Sequence, residues 1–162
     1  IDMTRRIMER LASSVQSRLK AIQELRKAGI PVYGMLAPII PCLNDQEIIP
    51  MVKKMAELGV HNVGYQLVRL TGDVEELFNA WLDEYFPDRK EKIIAYIKSC
   101  HGGKTSDSRF GVRMKGEGKI ADIIYQQFQL AKHKYFGNTS GGQLELNTEL
   151  FQLHKTGQMS LF

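Results

Sequence analysis

Cysteine is scarce in this sequence: Cys42 and Cys100 are the two present in 162 residues. They lie far apart and match no zinc or redox spacing, and two thiols cannot by themselves ligate a structural zinc. Isolated thiols suit a reducing cytoplasm, which is the compartment expected for the chain. Long apolar runs are missing as well. No stretch approaches the ~18 residues of a membrane-spanning helix, and no charged-then-apolar leader of the secretory type is visible. Glycine and proline are not in excess, which excludes collagenous and low-complexity classes. His61, His101, His133 and His154 show no ligand spacing. No catalytic triad or carboxylate pair can be assembled from the order of the residues.

What is present fits one ordinary domain, long enough to bury roughly 70% of its unfolded surface. The net charge of +4 permits an anionic partner without requiring one. The chain opens on Ile1 and runs almost at once into helix-like sequence, as a piece of a longer protein would. Leu19, Ile22 and Leu25 recur at helical spacing over residues 13–28, with Ser13 or Ser14 as cap and Gly29 just past the end. "IPVYGMLAPII" (30–40) is an apolar run without strict alternation, the pattern of a parallel strand covered on both faces. Asp45 is a natural N-cap for a helix over 48–58, stopped by Gly59, and Pro50 is tolerable only in its first turn. "HNVGYQLVRL" (61–70) predicts a second strand, so the stretch is a βαβ unit of parallel strands.

Further on, a helix is predicted from Asp73 to about Phe86, stopped by Pro87, and another from an Asp88 cap to about Ser99. A glycine-rich charged loop (101–118) leads to a long helix from Lys119 to about Tyr135, and the residues from Gly137 read as a tail. Two parallel strands, about 31–38 and 61–69, cannot bury both faces and both edges of a sheet. The expectation is that further strands belong to a missing N-terminal part of the same protein.

Three blocks carry a resemblance. "RLKAIQELRKAGIPVYGMLAPIIPCLNDQEI", "GYQLVRLTGDVEELFNAWLDEYFPDR" and "SDSRFGVRMKGEGKIADII" resemble, in that order, the C-terminal portion of a radical S-adenosylmethionine (radical SAM) family. Its relatives are the spore photoproduct lyase-like proteins, labelled DNA repair photolyases. The resemblance spans roughly residues 5–135 and implies an α/β fold: a fragment of a partial (β/α) TIM-like barrel with C-terminal helices. It implies reductive cleavage of SAM for radical chemistry on a substrate, with nucleic-acid lesion repair as one such reaction. Members hold a 4Fe-4S cluster on three cysteines spaced C-x3-C-x2-C. Cys42 and Cys100 match no part of that motif, so cluster ligation is expected upstream of Ile1 and this chain alone should be inactive. Relatives also usually carry glycine where this chain has Cys42.

Four groups of residues are candidates for binding. Pro38, Ile40, Pro41, Asn44 and Asp45 sit where strand gives way to helix, and strand C-termini are where barrel enzymes build their sites. One reading makes them a wall of the adenosine pocket, with Asn44 on the edge of the base; the other makes them a plain βα turn with an Asn-Asp cap. Tyr65 and Arg69, on one face of the second strand by alternation, could meet a carboxylate or phosphate. Alternatively Arg69 emerges into solvent and pairs with Asp73 or Glu75. Arg109, Phe110, Arg113 and Lys115 precede the long helix and read either as an anion or nucleic-acid contact or as a solvated loop. Trp81 makes a stripe with Phe78 and Tyr85 that most simply buries a helix.

The last group is "QMSLF". Gln158, Met159, Leu161 and Phe162 resemble the short peptide by which bacterial replication and repair proteins bind the sliding clamp, with Met159 in place of Leu. The sequence therefore leaves a radical SAM segment beside a non-catalytic nucleic-acid and sliding-clamp binding module. A third reading is a scaffold that pairs its exposed sheet edge with another copy.

Overall fold

The computed structural model describes residues 7–9 and 11–137. Helix α1 (Val15–Lys27) is capped by Ser14, whose hydroxyl accepts from Ser17 N at 3.1 Å, and Arg26 and Lys27 complement its C-terminal end. Strand β1 (Tyr33–Ile39) leads into a 3₁₀ turn (Asp45–Glu47) and helix α2 (Ile48–Glu57), and strand β2 (Asn62–Leu67) returns parallel to β1. Helices α3 (Val74–Tyr85), α4 (Lys90–Ser99) and α5 (Lys119–Phe136) follow. The protein is thus mixed α/β, with a two-stranded parallel sheet among the described residues. No described helix is long and apolar enough to cross a membrane.

Two expected caps are displaced. Asp45 and Asp88 do not cap helices: each opens or lies within a 3₁₀ turn, and no side chain caps α2 or α4. The tighter turn lies between each Asp and its helix, which begins at Ile48 or Lys90, so Glu47 and Arg89, with helical backbone angles, take the cap positions. Pro50 falls in the first turn of α2, where its missing N–H is harmless.

Coverage of the sheet also differs from expectation. Gly34 and Leu36 in β1 are buried, but Tyr33 and Met35 between them are 55% and 62% exposed. In β2, Val63 in register with Gly34 and Leu67 in register with Ile39 are buried. Helices α2 and α5 pack on the Leu36–Val63 face through Ile48, Val52, Met55, Ile124 and Phe128. A Cβ on Gly34 would strike Met55, so glycine lets α2 approach the strand closely. The opposite face is bare among the described residues, and Met35 lies across Gly64 there. The alternation escaped the sequence reading because glycine and methionine both count as apolar while facing opposite sides.

The ladder slips between Leu36 and Ile39, where β1 advances three residues against two in β2. This bulge falls at Ala37–Pro38, a position suited to a residue with no N–H. Beyond the strands a second core gathers Ile40, Leu43, Val68 and Leu70 against Phe78 and Leu82 of α3 and Ile93 and Ile97 of α4. Val68–Leu70, expected to continue the strand, instead turn into this core.

Candidate functional site

The second core forms the floor of a cleft at the carboxyl ends of both strands. Its volume is about 640 Å³, within the range of small-molecule sites. Pro38 and Ile40 wall it from the β1 side; Gln66, Arg69 and Leu70 from the β2 side; Phe78 and Trp81 from α3. A smaller groove of about 340 Å³ runs between α1, β1 and α2, and Pro38, Ile40 and Asn44 border it too.

The turn after β1 is held by side chains. Asn44 Oδ1 accepts from Ile40 N at 2.7 Å, and its Nδ2 donates to Pro38 O at 3.0 Å. Both halves of the Asn44 amide are therefore engaged with backbone. Arg89 donates to the carbonyl of Cys42 from the start of α4. Cys42 has φ +63, a left-handed conformation that suits glycine. Pro41 is fully buried and lines neither cavity, and Asp45 lines neither as well.

The segment carrying Arg69 is clamped by the glycine-rich loop. Leu67 N donates to Met114 O and Leu70 N to Thr105 O, both at 3.0 Å, while Val68 N donates to Ile39 O at 2.9 Å. The imidazole of His101, buried to 2% exposure, lies 2.8 Å from Val68 O through Nε2, which must donate because a carbonyl only accepts. Gly116 is needed for this closeness: at φ +73, an added Cβ would sit 2.7 Å from Leu67 Cδ1 and 2.9 Å from Cys100 O.

Tyr65 and Arg69 part company. Tyr65 packs on Phe128 with ring centres 4.8 Å apart, on the face covered by α5. Burial first, and then the neighbouring Tyr125 and Asp122, push its hydroxyl up to about 12. Arg69 turns into the cleft, and its Nε is shut from solvent with no acceptor among the described residues. Glu75, one partner foreseen for it, accepts instead from Thr105 Oγ1 at 2.7 Å.

The basic loop divides in the same way. Arg109 is held by Asp107, with Nε 3.1 and 3.0 Å from the two carboxylate oxygens, and by Glu117 at 2.6 Å. The Arg109 guanidinium holds Asp107 at about 2, below the ordinary carboxylate value, and the two carboxylates raise Arg109 in turn. Arg113 and Lys115 stay exposed, and Phe110 is 93% exposed with the Arg113 guanidinium 5.9 Å from its ring centre. Gln158, Met159, Leu161 and Phe162 lie outside the described residues.

Trp81 and Arg89 were not singled out for binding by sequence reasoning. Trp81 fits the core stripe, stacking on Phe78 at 5.6 Å, but its indole also faces the cleft, and Nε1 is buried with no partner among the described residues. The signal available was its polar atom: an indole N–H buried at helical spacing still needs an acceptor. Among the described residues no three His, Cys, Asp or Glu side chains group to hold a metal ion.

Fold and cleft together define an α/β protein with a ligand-sized opening at the carboxyl ends of parallel strands. Comparison with protein-family models, curated proteins and solved structures finds no match to the chain.

Proposed function

We propose that the chain is the C-terminal segment of a radical SAM enzyme, forming part of the wall of a partial (β/α) barrel. One observation carries the reading: parallel strands bear helices on one face, leave the other bare, and open a cleft at their carboxyl ends. A barrel wall has this asymmetry, with helices outside and strand side chains pointing to an interior. The bare face, carrying Tyr33 and Met35, would be that interior, and further strands would pair with the open edge of β1.

The cleft suits the adenosyl part of the cofactor in volume and in its apolar walls, with Pro38 and Ile40 against the base and Arg69 as a cation for its carboxylate or for substrate. The described residues do not suit the cluster, which lacks ligands here. When bound, the cofactor pair supplies hydrogen abstraction from a substrate. This chain's own part is to shape the pocket, to fix Pro38 and Ile40 through Asn44, and to hold Arg69 through the 101–117 loop.

The test is anaerobic iron and sulfide reconstitution of the full-length protein that contains this chain. Iron–sulfur absorption and reductive release of 5'-deoxyadenosine from SAM are expected; their absence would sink the reading. The exposed Phe110, with Arg113 over its ring, favours a second reading as a nucleic-acid and sliding-clamp binding module. Clamp binding that survives deletion of Gln158–Phe162 counts against the tail's part in it, and unchanged single-strand binding by Phe110→Ala counts against the loop's.

A further inference from the structure

The loop between α4 and α5 pushes a large apolar side chain into solvent. Phe110 is 93% exposed, and Arg113, whose guanidinium lies 5.9 Å from its ring centre, is exposed beside it. The two carboxylates of the loop, Asp107 and Glu117, are both taken by Arg109. Lys104, Arg113, Lys115 and Lys119 are therefore exposed cations with no acidic partner among the described residues.

The cleft has the opposite character. Pro38, Phe78 and Trp81 line it, and Val74 and Leu77 on its α3 side are 49% and 69% exposed. Arg69 is the one charged residue in that lining among the described residues. Helix α3 carries no lysine or arginine, and Asp73, Glu76 and Glu84 stand exposed at its start and along it. Loop and cleft share one end of the molecule, because Thr105 O and Met114 O of the loop accept from Leu70 N and Leu67 N of the cleft lining.

We propose that the chain pairs with a second copy through this end, each Phe110 entering the cleft of the other chain against Pro38 and the apolar side of α3. A two-fold axis makes the contact reciprocal and closed, since loop and cleft lie at the same end. An exposed aromatic ring and an apolar cleft leave water together. The cations of one loop then meet the acidic α3 of the other copy rather than like charge. Two copies joined through their sheet edges would bury neither Phe110 nor the cleft. The inference goes beyond the proposed function and does not rest on it, because an occupied cleft and this dimer exclude one another.

Sedimentation velocity of the full chain should show a concentration-dependent dimer, weakened as salt rises from about 0.05 M to about 0.5 M. Trp81 is the chain's single tryptophan and lines the cleft, so its emission should shift as the dimer forms. Phe110→Ala and Leu77→Lys should each weaken dimerisation by about tenfold or more. Mixing the two variants should restore part of it, since one Phe110 and one cleft stay intact between them. Both side chains are largely exposed, so neither change should disturb the fold, which far-UV circular dichroism checks. If Leu77→Lys does not fold, Phe110→Ala carries the test alone. Dimerisation that survives Phe110→Ala, or that leaves Trp81 emission unchanged, overturns the proposal in favour of another interface. A chain that stays monomeric to about 1 mM overturns it too, and Phe110-dependent binding of single-stranded DNA by that monomer assigns the loop to nucleic acid instead.

Discussion

Truncating Asn44 to alanine should cost far more than a half-buried turn residue ordinarily would. Its amide acts as a peptide unit inserted into the chain: Oδ1 accepts from Ile40 N at 2.7 Å and Nδ2 donates to Pro38 O at 3.0 Å. Ile40 is 2% exposed, so water cannot replace Oδ1 easily. Burying its N–H unpaired costs about 1–3 kcal/mol, and losing the bond to the exposed Pro38 carbonyl about 1 more, giving about 2–4 kcal/mol for Asn44→Ala. Asn44→Asp separates the two contributions. It keeps the acceptor for Ile40 and loses only the donor to Pro38, with some repulsion between carboxylate and carbonyl, for about 1–2 kcal/mol.

Urea unfolding followed through Trp81 measures both. With a slope of about 2 kcal/mol per molar, Asn44→Ala should lower the midpoint by about 1–2 M and Asn44→Asp by less than about 1 M. Equal losses in the two variants would refute the claim that the buried Ile40 N–H dominates. Losses below about 0.5 kcal/mol in both would refute the account of the turn altogether.

Cys42→Gly should raise stability by about 0.5–1 kcal/mol, because φ +63 strains any residue with a Cβ; a melting temperature below the parent's would contradict this. Asp107 has a folded value of about 2, below its ordinary 3.8, so its contribution is present above pH 3.8 and lost as pH falls through 2. Asp107→Asn should therefore flatten the acid limb of the stability curve, and an unchanged limb in acid titration would count against the pairing with Arg109. Tyr65 has a folded value of about 12, above its ordinary 10, so its contribution is present below pH 10 and lost as pH rises through 12. Tyr65→Phe removes a hydroxyl that is buried and unpaired among the described residues, and should leave neutral-pH stability equal or higher and soften the alkaline loss, both read by thermal melts.

The βαβ core of the fold was legible because its signals are local. Apolar runs, a glycine after each helix and a serine cap for α1 each state one thing, and they agree. The failures have physical causes. The second strand was read too long at 61–69 because Val68 is apolar, yet Val68 serves the second core rather than the ladder, while the first, read at 31–38, runs from Tyr33 to Ile39. Asp45 and Asp88 offered good caps, but a 3₁₀ turn intervenes before each helix and carries the start past them. Cys42 drew notice in the sequence, and its positive φ gives it a backbone that glycine adopts without strain.

The polar residues of the site show why composition and spacing reach only part of the way. One reading put Asn44 on the edge of a ligand's base and the other in a plain βα turn; Pro38 and Pro41 remove two N–H donors from that turn, and Asn44 bonds Pro38 O and Ile40 N. A polar side chain beside prolines is thus spent on the backbone first. Arg109 follows the same logic: among several cations in its loop, it is the one engaged by a nearly buried carboxylate. Arg69 and Trp81 show the reverse. Neither has an acceptor for its buried N–H among the described residues, although both side chains line the cleft. Spacing alone could not separate Trp81 from Phe78, since a core stripe and a cleft wall share one helical period. What separates them is the N–H, which Phe78 lacks and for which the protein supplies no acceptor among the described residues.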